Sequence, residues 1–245
     1  MSNLISIFIP KDKQLFKKIF TLATPVIVSN LSRVLMGLVD MAMVGHLGTT
    51  ALAAVGMAGM VTWTAMSPGI ALRTGTQTIV SRRLGEKKYE QCGIALRNLH
   101  LFALAVGIPV ALICYYFTTP IMSFFIKDPE TLSQAIDYAE LNFLGVYFMY
   151  GAFIFQGFYT GIEKTKLHMK VVLSSNIINV YLNIGLIFGT EKIIETLSGS
   201  PFNFLTYLWS FYDFPALGVR GAAIGTFIAT GWLFIHYFLY LFKSD

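Results

Sequence analysis

"IFTLATPVIVSNLSRVLMGLVDMAMV", residues 19–44, is an apolar run carrying two charges, Arg33 and Asp40. Its length suffices for a helix to cross a hydrocarbon core of ~30 Å at 1.5 Å rise per residue. An acid at that depth costs roughly 2.5–3.5 kcal/mol on insertion scales, and no other carboxylate lies between Asp12 and Glu86. The stretch therefore makes two statements at once. It predicts a transmembrane helix, and it says that Asp40 is kept for a purpose.

Comparable runs recur at 51–80, 98–120, 138–162, 168–189 and 217–242. Of the 245 residues 55% are hydrophobic and 13% charged, where a soluble domain carries about 25% charged residues; mean hydropathy is +0.64. The expected fold is all-α, a polytopic membrane protein with six transmembrane helices in one lobe. A cytoplasmic segment (1–18) precedes it and a short cytoplasmic end (243–245) follows. The lysines before residue 19 do not introduce a cleavable signal, because the run is too long for one and carries Arg33 and Asp40.

Orientation follows from the basic residues. With the N-terminus inside, Lys11, Lys13, Lys17, Lys18, Arg82, Arg83, Lys87, Lys88, Arg97, Lys164, Lys166, Lys170 and Lys243 fall on the cytoplasmic side. Only Lys127, Lys192 and Arg220 fall outside. Both termini are expected in the cytoplasm of a cell with the lobe in its plasma or inner membrane. The +5 net charge reads as membrane orientation rather than as a nucleic-acid surface.

Short connections join most spans: 81–93 and 163–170 inside, and 127–138 outside. Residues 190–216 are too long for a hairpin and dense in aromatics, which favour the headgroup zone; 202–214 read as a segment on the outer interface, with a substrate lid as the alternative. Pro25, Pro68 and Pro109 interrupt spans and imply kinks. Cys92 and Cys114 match neither a metal spacing nor a disulfide framework and read as small apolar fillers. His46, His100, His168 and His236 sit near span ends or on apolar faces and read as packed or interfacial. Arg73 reads as a snorkelling cation. No phosphate loop, nucleophile elbow or HExxH occurs, so the chain is expected not to be an enzyme.

Polar residues form helical stripes. Ser29, Arg33 and Asp40 point within about 40° of one another at 100° per residue. Asn176, Asn179 and Asn183 share a face of the fifth span, and Thr226 and Thr230 one of the sixth. Such faces turn inward. Asn and Thr also glue membrane helices through hydrogen bonds worth about 0.6 kcal/mol, the plainer reading of Asn176. Arg33 lies roughly 10 Å along the axis from Asp40, too far for a fixed pair. An acid among amide and hydroxyl oxygens suits a monovalent cation or a proton, since leaving it desolvated and empty favours either occupant. Met36, Met41, Met43, Met57 and Met60 either line a cavity or pack between helices.

Four stretches carry a resemblance: "LATPVIVSNLSRVLMGLVDMAMVGHLGTTALAAVGMA" (22–58), "GIALRTGTQTIVSRRLGEKKYEQ" (69–91), "NVYLNIGLIFG" (179–189) and "PALGVRGAAIGTFIAT" (215–230). In residues, order and orientation they resemble the multidrug and toxic compound extrusion (MATE) transporters. The resemblance implies antiport: export of small organic cations driven by Na+ or H+, with no cofactor beyond that coupling ion. It implies a cation-binding role for Asp40, Asn179 and Thr226, with Na+ or H+ at Asp40. Many members carry a second acid where this chain has Asn183, which implies weaker sodium affinity or a shift toward protons; Arg33 and Asn176 stand as modulators. The family's transporters resemble two six-helix lobes facing across a cavity. The chain matches the amino-terminal one, so the expected partner is a second lobe or a copy of itself. Two other readings stay open: a truncated, non-transporting remnant or membrane scaffold, and a flippase of lipid-linked sugars, for which only Arg33 and Arg73 supply basic residues.

Overall fold

The computed structural model describes residues 12–198, 201 and 203–243. Most of the expected N-terminal segment, the last two residues, and positions 199, 200 and 202 of the insertion lie outside the described residues. The elements are α1 (Lys13–Gly45), α2 (Thr49–Met66), α3 (Pro68–Gly85), α4 (Tyr89–Tyr116), α5 (Thr118–Phe125), α6 (Pro129–Leu144), α7 (Val146–Gly161), α8 (Thr165–Phe188), α9 (Thr190–Ser198), a 3-10 turn (Asn203–Leu208) and α10 (Gly218–Lys243). No strand occurs among the described residues. Five helical stretches are long and apolar enough to cross a membrane, and the bent pair α6–α7 makes a sixth. All-α architecture and six spans are what the apolar runs predict.

The boundaries differ where charged residues extend helices out of the apolar runs. The 81–93 connection shrinks to Glu86–Lys88, because α3 runs to Gly85 and α4 starts at Tyr89. Hydrogen bonds from Lys88, Arg82 and Arg83 hold the Glu86 carboxyl down at about 2, so this exposed turn keeps its ion pairs through the physiological range. Residues 127–138 are not a loop. Asp128 caps α6 by accepting from the Thr131 N–H at 2.9 Å, and Pro129 occupies the first turn, where its missing N–H costs nothing. The fourth span therefore begins nine residues before the run at 138–162 and bends by 48° between Leu144 and Val146. Pro68 ends α2 and opens α3, whereas α1 and α4 continue through Pro25 and Pro109.

Without a hydrophobic force between helices in lipid, packing depends on close approach at small residues. Here α3 packs on α7, α8 on α10 and on α1, and α2 on α6. A Cβ at Gly157 of α7 would lie 2.3 Å from the Arg73 carbonyl of α3, and one at Gly221 of α10 would lie 2.1 Å from the Leu186 carbonyl of α8. Large apolar residues that would be core in a soluble protein, such as Ile27, Val34 and Leu38 of α1, are exposed. They form a surface suited to acyl chains or to another helical lobe.

The 190–216 insertion carries α9 and the 3-10 turn and is clasped onto the end of α8. Gly189 adopts φ +79, a conformation L side chains rarely take, and turns the chain so that Thr190 meets the segment's far end. Thr190 N–H donates to the Phe214 carbonyl (3.0 Å), Phe214 N–H to Thr190 Oγ1 (2.8 Å), and the Thr190 hydroxyl to the Tyr212 carbonyl (3.1 Å). Trp209 stacks on Tyr181 and donates from Nε1 to its carbonyl. Phe204, Tyr207, Phe211 and Tyr212 stay exposed, the pattern of a segment lying in a headgroup zone.

Removing the clasp tests it. Thr190→Ala leaves the Phe214 N–H unpaired, worth about 1–3 kcal/mol. Limited proteolysis between 199 and 213 is expected to accelerate on the order of tenfold while the thermal unfolding of the bundle stays put; unchanged cleavage would show that the aromatic contacts alone hold the segment.

Candidate functional site

Asp40 lies in the second half of α1, where the chain's one polar stripe on that helix meets α8. Asn183 of α8 is completely buried and its Nδ2 donates to Asp40 Oδ1 at 2.9 Å and to Asn179 Oδ1 at 3.3 Å. One turn earlier on the same face, Asn179 Nδ2 donates to Thr226 Oγ1 of α10 at 3.4 Å. The helical spacing of Asn179 and Asn183 thus becomes a continuous relay from α1 through α8 to α10. Tyr138 of α6 closes the cluster: it lines a cavity together with Asp40, its phenol close enough to act electrostatically on the carboxylate, and Asn142 Nδ2 donates to its backbone carbonyl at 2.8 Å.

The relay depends on how closely α10 approaches α8. An added Cβ on Gly225 would stand 2.0 Å from Asn183 Oδ1, and that oxygen is buried with no hydrogen-bond partner. A buried unsatisfied carbonyl costs about 1–3 kcal/mol. The cost is borne because the amide is wedged with its nitrogen turned to Asp40 and Asn179.

Asp40 forms no ion pair among the described residues, in agreement with the axial distance that separates it from Arg33. No three His, Cys, Asp or Glu side chains among the described residues converge as a multidentate metal site requires. The carboxylate instead faces hydroxyl and amide groups: one negative charge with neutral oxygens at Tyr138, Thr226 and Asn179. Oxygen donors are what hard cations take, and a single charge matches a monovalent ion or a proton.

The cluster forms one end of a cavity of about 340 Å³ between α1, α2, α6, α7, α8 and α10. Its sides are Trp63, Met66, Met149 and Phe153; its other end holds Arg33, Gln156 and Tyr237. Behind that end His168, fully buried, contacts Tyr237 Oη through Nδ1 and Gln156 Nε2 through Nε2 at 3.2 Å, and the Tyr159 hydroxyl donates to the Tyr237 carbonyl at 3.2 Å.

Each sequence-nominated residue thus has a place. Asp40, Asn179, Asn183 and Thr226 come together. Arg33 lies on the same cavity wall, away from them. Asn176 also borders the cavity, but its Nδ2 donates to Ser32 Oγ at 2.7 Å and ties α8 to α1, the gluing role. Ser29 turns its hydroxyl back to the Pro25 carbonyl and does not reach the site. Of the five methionines, only Met36 lines the cavity; Met43 is buried in the helix interface, Met57 packs against the core, and Met41 and Met60 face outward. Tyr138 and Asn142 fall inside the apolar run at 138–162, where the sequence reading singles out neither. Gln156 could have been found as a lone amide within "YGAFIFQGFY" (150–159).

The family model described as MatE matches residues 25–184. The chain belongs to the MatE family. It is therefore a multi-pass membrane protein of a transporter family, not an enzyme. It is 27% identical over 236 residues to the multidrug export protein MepA of Staphylococcus haemolyticus, covering 95% of this chain and 47% of MepA. It is also 27% identical over 220 residues to the probable multidrug resistance protein NorM of Bacillus cereus, covering 89% and 44%. Among solved structures, a MOP superfamily transporter from Pyrococcus furiosus superposes with TM-score 0.75 at 22% identity, over 94% of this chain and 46% of that one. The chain spans about half the length of these relatives.

The Gly225 contact gives a direct check. Gly225→Ala should lower the thermal unfolding midpoint by several degrees, as overpacking costs about 1–3 kcal/mol. Gly231→Ala, with nothing within 4 Å of its Cβ, should leave it unchanged or slightly raised; equal tolerance of both would mean that α8 and α10 do not meet at Asn183.

Proposed function

We propose that this lobe is the amino-terminal half of a cation-coupled exporter of organic, mostly cationic compounds, and that Asp40 is its coupling-ion site. The observation that supports this is the placement of a lone carboxylate, backed by Asn183 and flanked by Tyr138, Thr226 and Asn179, at one end of a cavity lined by aromatic and methionine side chains. The MepA and NorM relatives are named for multidrug export and multidrug resistance. Lys and Arg positions orient both termini toward the cytoplasm.

The mechanism follows from the charge. An unoccupied Asp40 presents an anion to a low-dielectric cavity, whereas a proton or Na+ neutralises it. Helix arrangements that bury the cluster more deeply are then favoured when it is filled and disfavoured when it is empty, so occupancy biases the equilibrium between arrangements. Asn183, an amide where the family resemblance implies a second acid in many members, limits the site to one negative charge. An organic cation and the coupling ion compete for that charge, directly or through the cavity's potential, and this competition makes the exchange obligatory. Alternating access requires a second lobe to move against; it is supplied by a following six-helix segment, a separate chain or a copy of this one.

Efflux of a fluorescent organic cation from cells carrying this lobe with a second six-helix lobe tests the proposal. Asp40→Asn keeps shape and hydrogen bonding but removes the charge, and should abolish gradient-driven efflux at normal membrane levels of protein. Efflux at the wild-type rate in the variant would remove Asp40 from the mechanism.

A further inference from the structure

The far end of the cavity has the opposite polarity, and the coupling-ion reading leaves it without a task. Arg33 lines the cavity at membrane depth and makes no ion pair among the described residues. Arg73 of α3 is close enough to act electrostatically on both Arg33 and His168. A guanidinium that cannot lose its charge thus lines the cavity with a second one within electrostatic reach and no carboxylate paired with either among the described residues. Charged side chains in that position are costly and mark ligand or ion paths.

The neutral groups around Arg33 point the same way. With Gln156 Nε2 donating to His168 Nε2, a neutral imidazole carries its proton on Nδ1 and gives it to the Tyr237 oxygen. The Tyr237 hydroxyl hydrogen is then free for a group in the cavity that Tyr237 lines. Guanidinium and phenol together make this end rich in donors, planar and forked at Arg33, of the kind that binds carboxylates in pairs of hydrogen bonds.

We propose that Arg33 and Tyr237 form an anion subsite that takes the carboxylate of an aromatic ligand. Its aromatic body lies along Trp63 and Phe153, and any basic group extends toward Asp40. This rests on the exporter reading for the cavity being a ligand site, and narrows its substrate class from cations to compounds that also carry an acidic group. Arg73 does not touch the ligand; it strengthens the positive field at this end.

The full chain in lipid nanodiscs, titrated with 1-naphthoate and separately with 1-naphthylmethylammonium while Trp63 quenching is followed, tests the assignment. Arg33→Gln should weaken naphthoate binding about tenfold, the worth of one charge-assisted contact, and tighten the ammonium probe severalfold by removing a like charge. Arg33→Lys should recover part of the naphthoate affinity. Mass-spectrometric mapping of phenylglyoxal labelling on the wild type needs no variant to fold: naphthoate should protect Arg33 and the ammonium probe should not. Naphthoate affinity unchanged in Arg33→Gln, equal weakening of both probes, or labelling indifferent to naphthoate would overturn the subsite. Ammonium binding with no naphthoate binding would overturn it while leaving the exporter reading standing; absence of both would sink that reading as well.

Discussion

The hydrogen bond from Asn183 to Asp40, 2.9 Å across the α1–α8 interface, is the contact on which the rest of the lobe turns. It fixes a carboxylate that the bilayer would otherwise reject, and it does so from a side chain with no freedom of its own. Asn183 is held by Asn179 in front and by the Gly225 backbone behind. Three helices are thereby committed to one register. The same register leaves Asp40, Tyr138 and Thr226 lining a cavity.

Close approach is the physical theme of the architecture. In lipid there is no gain from burying one leucine against another, so helices associate where small residues admit backbone contact and where polar groups find partners. The Gly157–Arg73 and Gly221–Leu186 approaches seat α3 on α7 and α10 on α8. The polar partners that result are unequal. At the Asp40 end the Asn179 and Asn183 amide donors are engaged and the Asn183 carbonyl oxygen is left unpaired; at the Arg33 end donors outnumber acceptors. A cavity with one negative and one positive end is a consequence of where these two sequence positions fall on a single helix, two turns apart.

Much of this was legible in the sequence. Six apolar runs give six spans, since length and hydropathy are what a bilayer selects. Asp40, Asn179, Asn183 and Thr226 converge as their helical stripes and the MATE resemblance imply. The failures have identifiable causes. The polar residues of 129–137 disguise the start of α6, because a helix that projects beyond the hydrocarbon region has no apolar signal there. Tyr138 and Asn142 lie within a run that reads as a span, but one phenol and one amide draw no polar stripe to mark them. Gln156, His168 and Tyr237 are up to 81 positions apart in sequence and lie on three helices, and no period within one helix announces a network between several. The insertion at 190–216 reads as interfacial from its aromatics, yet its clasp at Thr190 depends on a positive φ at Gly189 that composition does not specify.

Whether Asp40 is an exchangeable ion site is measured most directly by infrared difference spectroscopy on the full chain in lipid, comparing wild type with Asp40→Asn. The account predicts a protonated-carboxyl C=O band at low pH, missing in the variant, that gives way to carboxylate bands as pH rises, with those bands shifting again on adding Na+ if sodium is the coupling ion. A carboxylate signal at Asp40 that is insensitive to both pH and Na+ would contradict it.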